Sequence, residues 1–174
     1  LFRSRSVVIA ENLVASRDAT RGENSSATIR ILASRTNSGT RSIPALEMVE
    51  DALREAAIER EEIGVIAIGL GPGSNMGIRI AIALAQGWQL ARGVRLLGVS
   101  SADCLAAQAH AAGLRGRVAV AIDAQRNEIY LAPYELTAGS WRAELPMRIV
   151  VPEELRAPEN AAFMLIGPEA SRWS

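Results

Sequence analysis

The chain has 174 residues, room for one domain or two small lobes, and 49% of them are hydrophobic, which supports a substantial core. Basic and acidic residues balance at 19 each, which argues against a strong electrostatic grip on nucleic acid by this chain alone. The single cysteine, Cys104, excludes an internal disulfide and a cysteine-cluster metal site. No apolar run is long enough to span a bilayer, and a cytoplasmic protein is the expectation.

Residues 6–10 (Ser-Val-Val-Ile-Ala) read as a short strand, Glu11-Asn12 as a turn, and residues 13–16 as a returning hairpin partner. Residues 18–26 are polar, contain Gly22 and read as loop. Residues 28–33 fit a strand or the start of a helix, and residues 35–41 read as loop. An amphipathic helix follows over residues 42–57, with Pro44 tolerated in its first turn. Leu46, Val49, Leu53 and Ala56 share one of its faces, and Glu50 and Arg54 are spaced to pair one turn apart. Residues 58–62 then lead into a strand over residues 63–69.

Gly69-Leu-Gly-Pro-Gly-Ser-Asn-Met-Gly77 follows that strand and opens a helix over residues 74–92. Ser74 is suited to cap it, Gly71 and Gly73 to relieve the sharp turn before it, and Gly93 to end it. Gly73, Gly77, Ala81 and Ala85 recur every four residues as a stripe of small residues that lets another backbone come close. Ile78, Ile80, Ile82, Leu84, Trp88 and Leu90 spread around the other faces, and Arg79 is the one charge between Ile78 and Ala85. A helix apolar on nearly all sides needs cover on nearly all sides, from a sheet and from a neighbouring helix of this chain or another.

Residues 94–99 read as a buried strand and residues 101–112 as a helix, capped by Ser100 or Ser101, with Asp103 in a capping-box-like place and Gly113 as the stop. Strand–helix–strand–helix with short links signals a largely parallel sheet locally. Residues 117–122 and 129–136 read as strands of a second sheet joined by the hairpin turn 123–128, residues 141–150 as a third strand, 152–159 as a short helix or loop, and 163–166 as a last strand. The sequence opens on Leu1 and stops soon after that last strand, so both ends are expected to be incomplete.

Candidate chemistry is sparse. The glycine loop invites a phosphate, because free N–H groups at a helix start attract anions. It lacks the Lys-Ser/Thr of a P-loop, its spacing is one residue off a dinucleotide fingerprint, and no acid ends the next strand to hold a ribose. Turn geometry and helix packing are the better reading. Asp123, Arg126, Glu128 and Tyr130 crowd one hairpin, where an Asp and a Glu could exchange protons with a substrate. Hairpin turns also favour Asp and Asn for backbone reasons. His110, the only histidine, has no spaced metal-ligating companions; Ser100 and Ser101 lack the glycines of a nucleophile elbow; Cys104 reads as a core residue. No metal or cofactor is expected.

Four blocks, in order and spacing, resemble the bacterial TsaB (YeaZ) family: Gly71-Pro-Gly-Ser-Asn-Met-Gly-Ile-Arg79, Ala85-Gln-Gly87, Leu97-Gly-Val-Ser-Ser101 and Asp123-Ala-Gln-Arg-Asn-Glu-Ile-Tyr130. The resemblance covers residues 40–150. Its loop motif falls on Gly71, Pro72, Gly73, Ser74, Gly77 and Arg79, and its hairpin motif on Asp123, Arg126, Glu128 and Tyr130. The chain departs from the family with Asn75-Met76 where Phe-Thr is usual and Arg126-Asn127 where Arg-Gly is common, and it lacks the first strand ending in Asp-Thr-Ser.

The resemblance implies an α/β, actin-like and ribonuclease-H-like (ASKHA) fold of two lobes of mixed sheet with helices, here residues 1–113 and 114–174. It implies a non-catalytic subunit in making threonylcarbamoyladenosine in tRNA. Such a subunit pairs with a TsaD-like subunit, or with itself as a homodimer when alone, is joined by a TsaE-like ATPase, and meets tRNA only through the complex. Pairing would run through the helices 42–57 and 74–92, with Leu46, Val49, Glu50 and Leu53 on the first and Gly73, Gly77, Ile80, Ala81, Leu84, Ala85 and Trp88 on the second. Two rivals are a glycoprotease-like peptidase, which needs a nucleophile or metal site, and an ATP-dependent kinase of the same fold superfamily, which needs a grip on ATP phosphates.

Overall fold

A computed structural model of the chain describes residues 5–13, 28–37, 44–155, 163–168 and 170. In chain order the elements are β1 (Arg5–Leu13), β2 (Thr28–Asn37), α1 (Ala45–Ala56), a 3-10 turn (Arg60–Glu62), β3 (Val65–Gly71), α2 (Asn75–Arg92), β4 (Arg95–Ser100), α3 (Ser101–Ala111), β5 (Gly116–Gln125), β6 (Glu128–Leu136), β7 (Trp141–Ala143), β8 (Arg148–Val150), α4 (Pro152–Leu155) and β9 (Met164–Ile166). Among the described residues, one compact unit holds those of 5–66 and 83–95, and a second holds those of 67–82 and 96–170. These units interleave along the sequence.

In the first unit β1 and β2 form an antiparallel ribbon, from Arg5 opposite Asn37 to Leu13 opposite Thr28, with a register shift between Ile9 and Ala10. Glu11 and Asn12 therefore continue a strand where their composition suggests a turn, because nine cross-strand pairs outweigh a local preference. The same pairing makes 28–33 a strand and extends it through Arg35–Asn37, part of the stretch read as loop. The expected loop over 18–26 and the helix start at Ser42 lie outside the described residues.

One ribbon face packs on α1 around buried Ile9, Ala33, Ala52 and Leu53, with Val7, Leu32, Val49, Ala56 and Trp88 against them. The buried side of α1 is rotated from the expected one: Met48 is buried, whereas Leu46 is 45% exposed. Glu50 pairs with Arg60 rather than Arg54, which instead meets Asp51 at 2.7 Å, and Arg35 pairs with Glu55. The helix ends at Ala57, whose left-handed backbone (φ 53) sends its N–H back to the Arg54 carbonyl at 3.3 Å.

The second unit is built on a sheet ordered β7-β6-β5-β9, with β8 also paired to β6. The β5–β6, β6–β7 and β6–β8 pairs are antiparallel and β5–β9 is parallel, so this sheet is mixed. The stretch read as one strand over 141–150 is two short ones, broken where Glu144 donates its N–H to the Pro133 carbonyl (2.9 Å) just before Pro146. β5 and β6 are apolar on both faces. Val118, Val120, Ile122, Ala132, Tyr134 and Leu136 meet Ala102 and Ala106 of α3. Ala119, Ala121, Ile129 and Leu131 meet Val150, with Leu155, Phe163 and Leu165 beside them.

Ser100 caps α3, accepting from the Asp103 N–H at 3.4 Å. The Asp103 carboxylate turns inward and accepts from the Tyr134 hydroxyl at 2.7 Å, while Tyr134 packs on Trp141 with ring centroids 5.9 Å apart. Arg117 lies over the Phe163 ring at 4.1 Å and pairs with Glu144, tying β5 to the segments on either side of it. No described helix is long and apolar enough to cross a membrane.

Two expectations for stability follow. Gly167 has φ 140 and sits against the Ala121 backbone, where a Cβ would overlap the Ala121 carbonyl oxygen. Gly167→Ala should cost about 3 kcal/mol, seen as a lower urea midpoint. Tyr134→Phe leaves the Asp103 carboxylate short of a donor and should cost about 1–3 kcal/mol. Burial first, and the Asp103 hydrogen bond second, hold the Tyr134 phenol above its ordinary range. The unfolded chain releases that proton near the ordinary tyrosine value of about 10, so this stability is full below it and falls as pH rises beyond. Wild-type unfolding free energy should therefore drop more steeply above that pH than that of Tyr134→Phe.

Candidate functional site

The glycine loop places α2. Gly71 is buried with φ 91, its bond to Pro72 is cis, and a Cβ there would lie 2.8 Å from Ile78 Cδ1 and 3.3 Å from the Gly73 nitrogen. Gly71 is therefore required for the turn. Gly73 faces open space, and a Cβ at Gly77 would make only ordinary 3.5 Å contacts with Ser74, so neither is demanded by the turn. Ser74 caps the helix: its Oγ accepts from the Gly77 N–H at 3.3 Å and its carbonyl from the Ile78 N–H at 2.9 Å. Gly93, with φ 70, closes it through its N–H to the Gln89 carbonyl at 2.7 Å.

The residues singled out on α2 do not share one environment. Gly73 is exposed, Gly77, Ile80, Ala81 and Leu84 are half-buried, and Ala85 is buried. A four-residue spacing advances about 40° per step, so such a stripe winds from one side of the helix to another. Trp88 packs with Val49 and Leu53 in the α1–ribbon core, which places all three inside the chain, while Leu46 and Glu50 lie at its surface or margin. Of the residues α2 leaves exposed, Met76, Arg79, Ala83, Gly87 and Leu90 form one line, with Met76 at 62% and Leu90 at 88%; Asn75, Gln86, Gln89, Ala91 and Arg92 are exposed beside it. Steps of three and four residues keep these within one side of the helix. Among the described residues Arg79 has no hydrogen-bond or ion-pair partner, and it is the one charged side chain of α2 before Arg92.

The hairpin residues are held apart by the strands. Gln125, Arg126 and Asn127 all have positive φ (66, 51 and 61), and the two-residue turn Arg126-Asn127 has the backbone signs of a type I′ hairpin. The Asp123 carboxylate accepts the Gln125 N–H at 2.7 Å, a turn-closing role. Tyr130 packs beside the α3-covered face of the sheet, Glu128 opens β6, and Arg126 is exposed at the tip. Other reactive types are engaged locally: His110 Nε2 bonds the Thr137 carbonyl at 3.0 Å and Ser100 caps α3, whereas Cys104 is exposed. Among the described residues no three His, Cys, Asp or Glu side chains gather as metal ligands.

Comparison with known proteins adds an independent line. Residues 40–163 match the family model described as TsaD, tRNA N6-adenosine threonylcarbamoyltransferase. The tRNA threonylcarbamoyladenosine biosynthesis protein TsaB of Escherichia coli K12 is 37% identical over 109 residues, which is 62% of this chain and 47% of that protein. Its counterpart in Haemophilus influenzae is 29% identical over 129 residues, 73% of this chain and 55% of that one. The chain thus spans about half the length of the curated relatives it matches. A crystal structure described as an uncharacterized protein with similarity to peptidase YEAZ, from Pseudomonas aeruginosa, superposes with a TM-score of 0.67 at 31% identity, covering 95% of this chain and 70% of that one. YeaZ from Pseudomonas aeruginosa gives 0.62 at 33% identity, covering 76% and 65%. A mixed α/β fold shared with YeaZ, the glycine loop that sets α2, and the family match across most of the sequence agree: the chain belongs to the TsaB (YeaZ) family.

Proposed function

We propose that this chain is a non-catalytic partner subunit in the formation of threonylcarbamoyladenosine in tRNA, working in the cytoplasm as one lobe-paired member of an actin-like, ASKHA-type assembly. Its role is to dock a TsaD-type subunit along α2, with α1 as the companion helix, and to hold that subunit in a competent state. A TsaE-type ATPase joins the assembly, tRNA is met through the complex, and the chain pairs with itself when the partner is absent.

The observation that carries this reading is the exposed side of α2. An 18-residue helix with one charge before its last residue leaves Met76, Ala83, Gly87 and Leu90 uncovered. A side chain like Leu90, 88% exposed on a regular helix, gains nothing for the fold. Covering it contributes about 1.5–3 kcal/mol to an interface. The local duties of Asp123, Ser100 and His110 fit a subunit that supports chemistry elsewhere. The docking line thus shifts from the small-residue stripe to its neighbour, with Gly77, Ile80, Ala81 and Leu84 at its margin.

Leu90→Glu tests this cleanly, because so exposed a position leaves the fold untouched. Thermal unfolding should match wild type, while affinity for the TsaD-type subunit of the same organism, measured by calorimetry, falls at least tenfold. Wild-type affinity in this variant would remove α2 from the interface.

A further inference from the structure

Resting on that docking reading, we infer that Arg79 is the polar anchor of the α2 interface and that the docked protein presents a carboxylate to it from an otherwise apolar surface. Nine described arginines make ion pairs or hydrogen bonds within the chain: Arg30, Arg35, Arg54, Arg60 and Arg92 in one unit, Arg115, Arg117, Arg142 and Arg148 in the other. Arg79, like Arg95 and Arg126, does not, and of these three it alone lies on the exposed line of α2. Nor does it help its own helix. It lies in the second turn, and the first turn holds no acid for it to pair with.

Its surroundings define the partner. Met76 precedes Arg79 on the exposed line and Ala83 follows it, so the guanidinium emerges from apolar ground. Docking a protein over that ground strips water from the charge, and an unpaired buried charge is strongly destabilising. A carboxylate matches the guanidinium fork with two parallel hydrogen bonds and adds direction to a contact that apolar side chains leave loose. An RNA phosphate fits less well. Phosphate binding needs several cations in a row, and α2 offers Arg79 alone before Arg92, which is committed to Glu61 at 2.6 Å.

Three variants, Arg79→Glu, Arg79→Lys and Leu90→Glu, are measured against the TsaD-type subunit by calorimetry and against tRNA by filter binding. Arg79→Glu should weaken protein pairing at least thirtyfold and Arg79→Lys several-fold, since an ammonium keeps the charge but loses the fork. Replacing in turn each Asp and Glu on the partner's pairing helices with Arg should reveal one position that restores binding to Arg79→Glu. If both Arg79 variants pair like wild type while Leu90→Glu does not, the docking face stands and the carboxylate anchor is wrong. If Leu90→Glu pairs normally as well, the docking reading itself fails. Loss of tRNA binding by Arg79→Glu with protein pairing unchanged would overturn the anchor in favour of a phosphate contact.

Discussion

Strands β5 and β6 carry apolar side chains on both faces, and water has to be kept from both. That double burial organises the second unit. Ala102 and Ala106 let α3 sit close over one face, and the Tyr134–Asp103 hydrogen bond fixes the helix against the sheet. On the other face Val150, Leu155 and Phe163 complete the cover, and the close pass of Gly167 beside Ala121 brings the end of β9 onto β5. Polar groups in this core are few and partnered, which suits a low-dielectric interior where an unmet donor or acceptor is expensive.

The helix α2 answers to the opposite condition. Its start is capped by Ser74 and its end closed by Gly93, whose N–H meets the Gln89 carbonyl. Its side chains are only partly covered: Ala85 and Trp88 are taken into the chain, whereas Met76, Ala83 and Leu90 are left to solvent. A helix capped at both ends but incomplete in its burial is a surface already formed. It can present an apolar line to another protein without first paying the entropy of ordering it. The docking role proposed for α2 would use that face, with Arg79 as the charged group on it.

The reactive residue types are spread through structural tasks. Asp123 closes a hairpin, Ser100 caps a helix and His110 bonds a loop carbonyl. Asp103 is the instructive one. As the third residue after the cap it had the spacing to reach back to its own helix start, yet it accepts a hydrogen bond from a tyrosine in a distant strand. A charge-assisted bond to a buried hydroxyl is worth more than one made at the helix end in water.

Local signals in the sequence determined much of this protein: the capped start and glycine stop of α2, the β5–β6 hairpin, the α3 boundaries and the family blocks all depend on near neighbours along the chain. Tertiary structure alone decided the rest. Glu11 and Asn12 were drawn into a strand by β2, the buried side of α1 was turned toward Met48 by the ribbon it packs on, and 141–150 was split by its pairing with β6. The side of α2 left bare was decided in the same way. A helix apolar on several sides carries no internal mark of which side its own chain will cover, because that depends on surfaces brought to it from elsewhere in the fold.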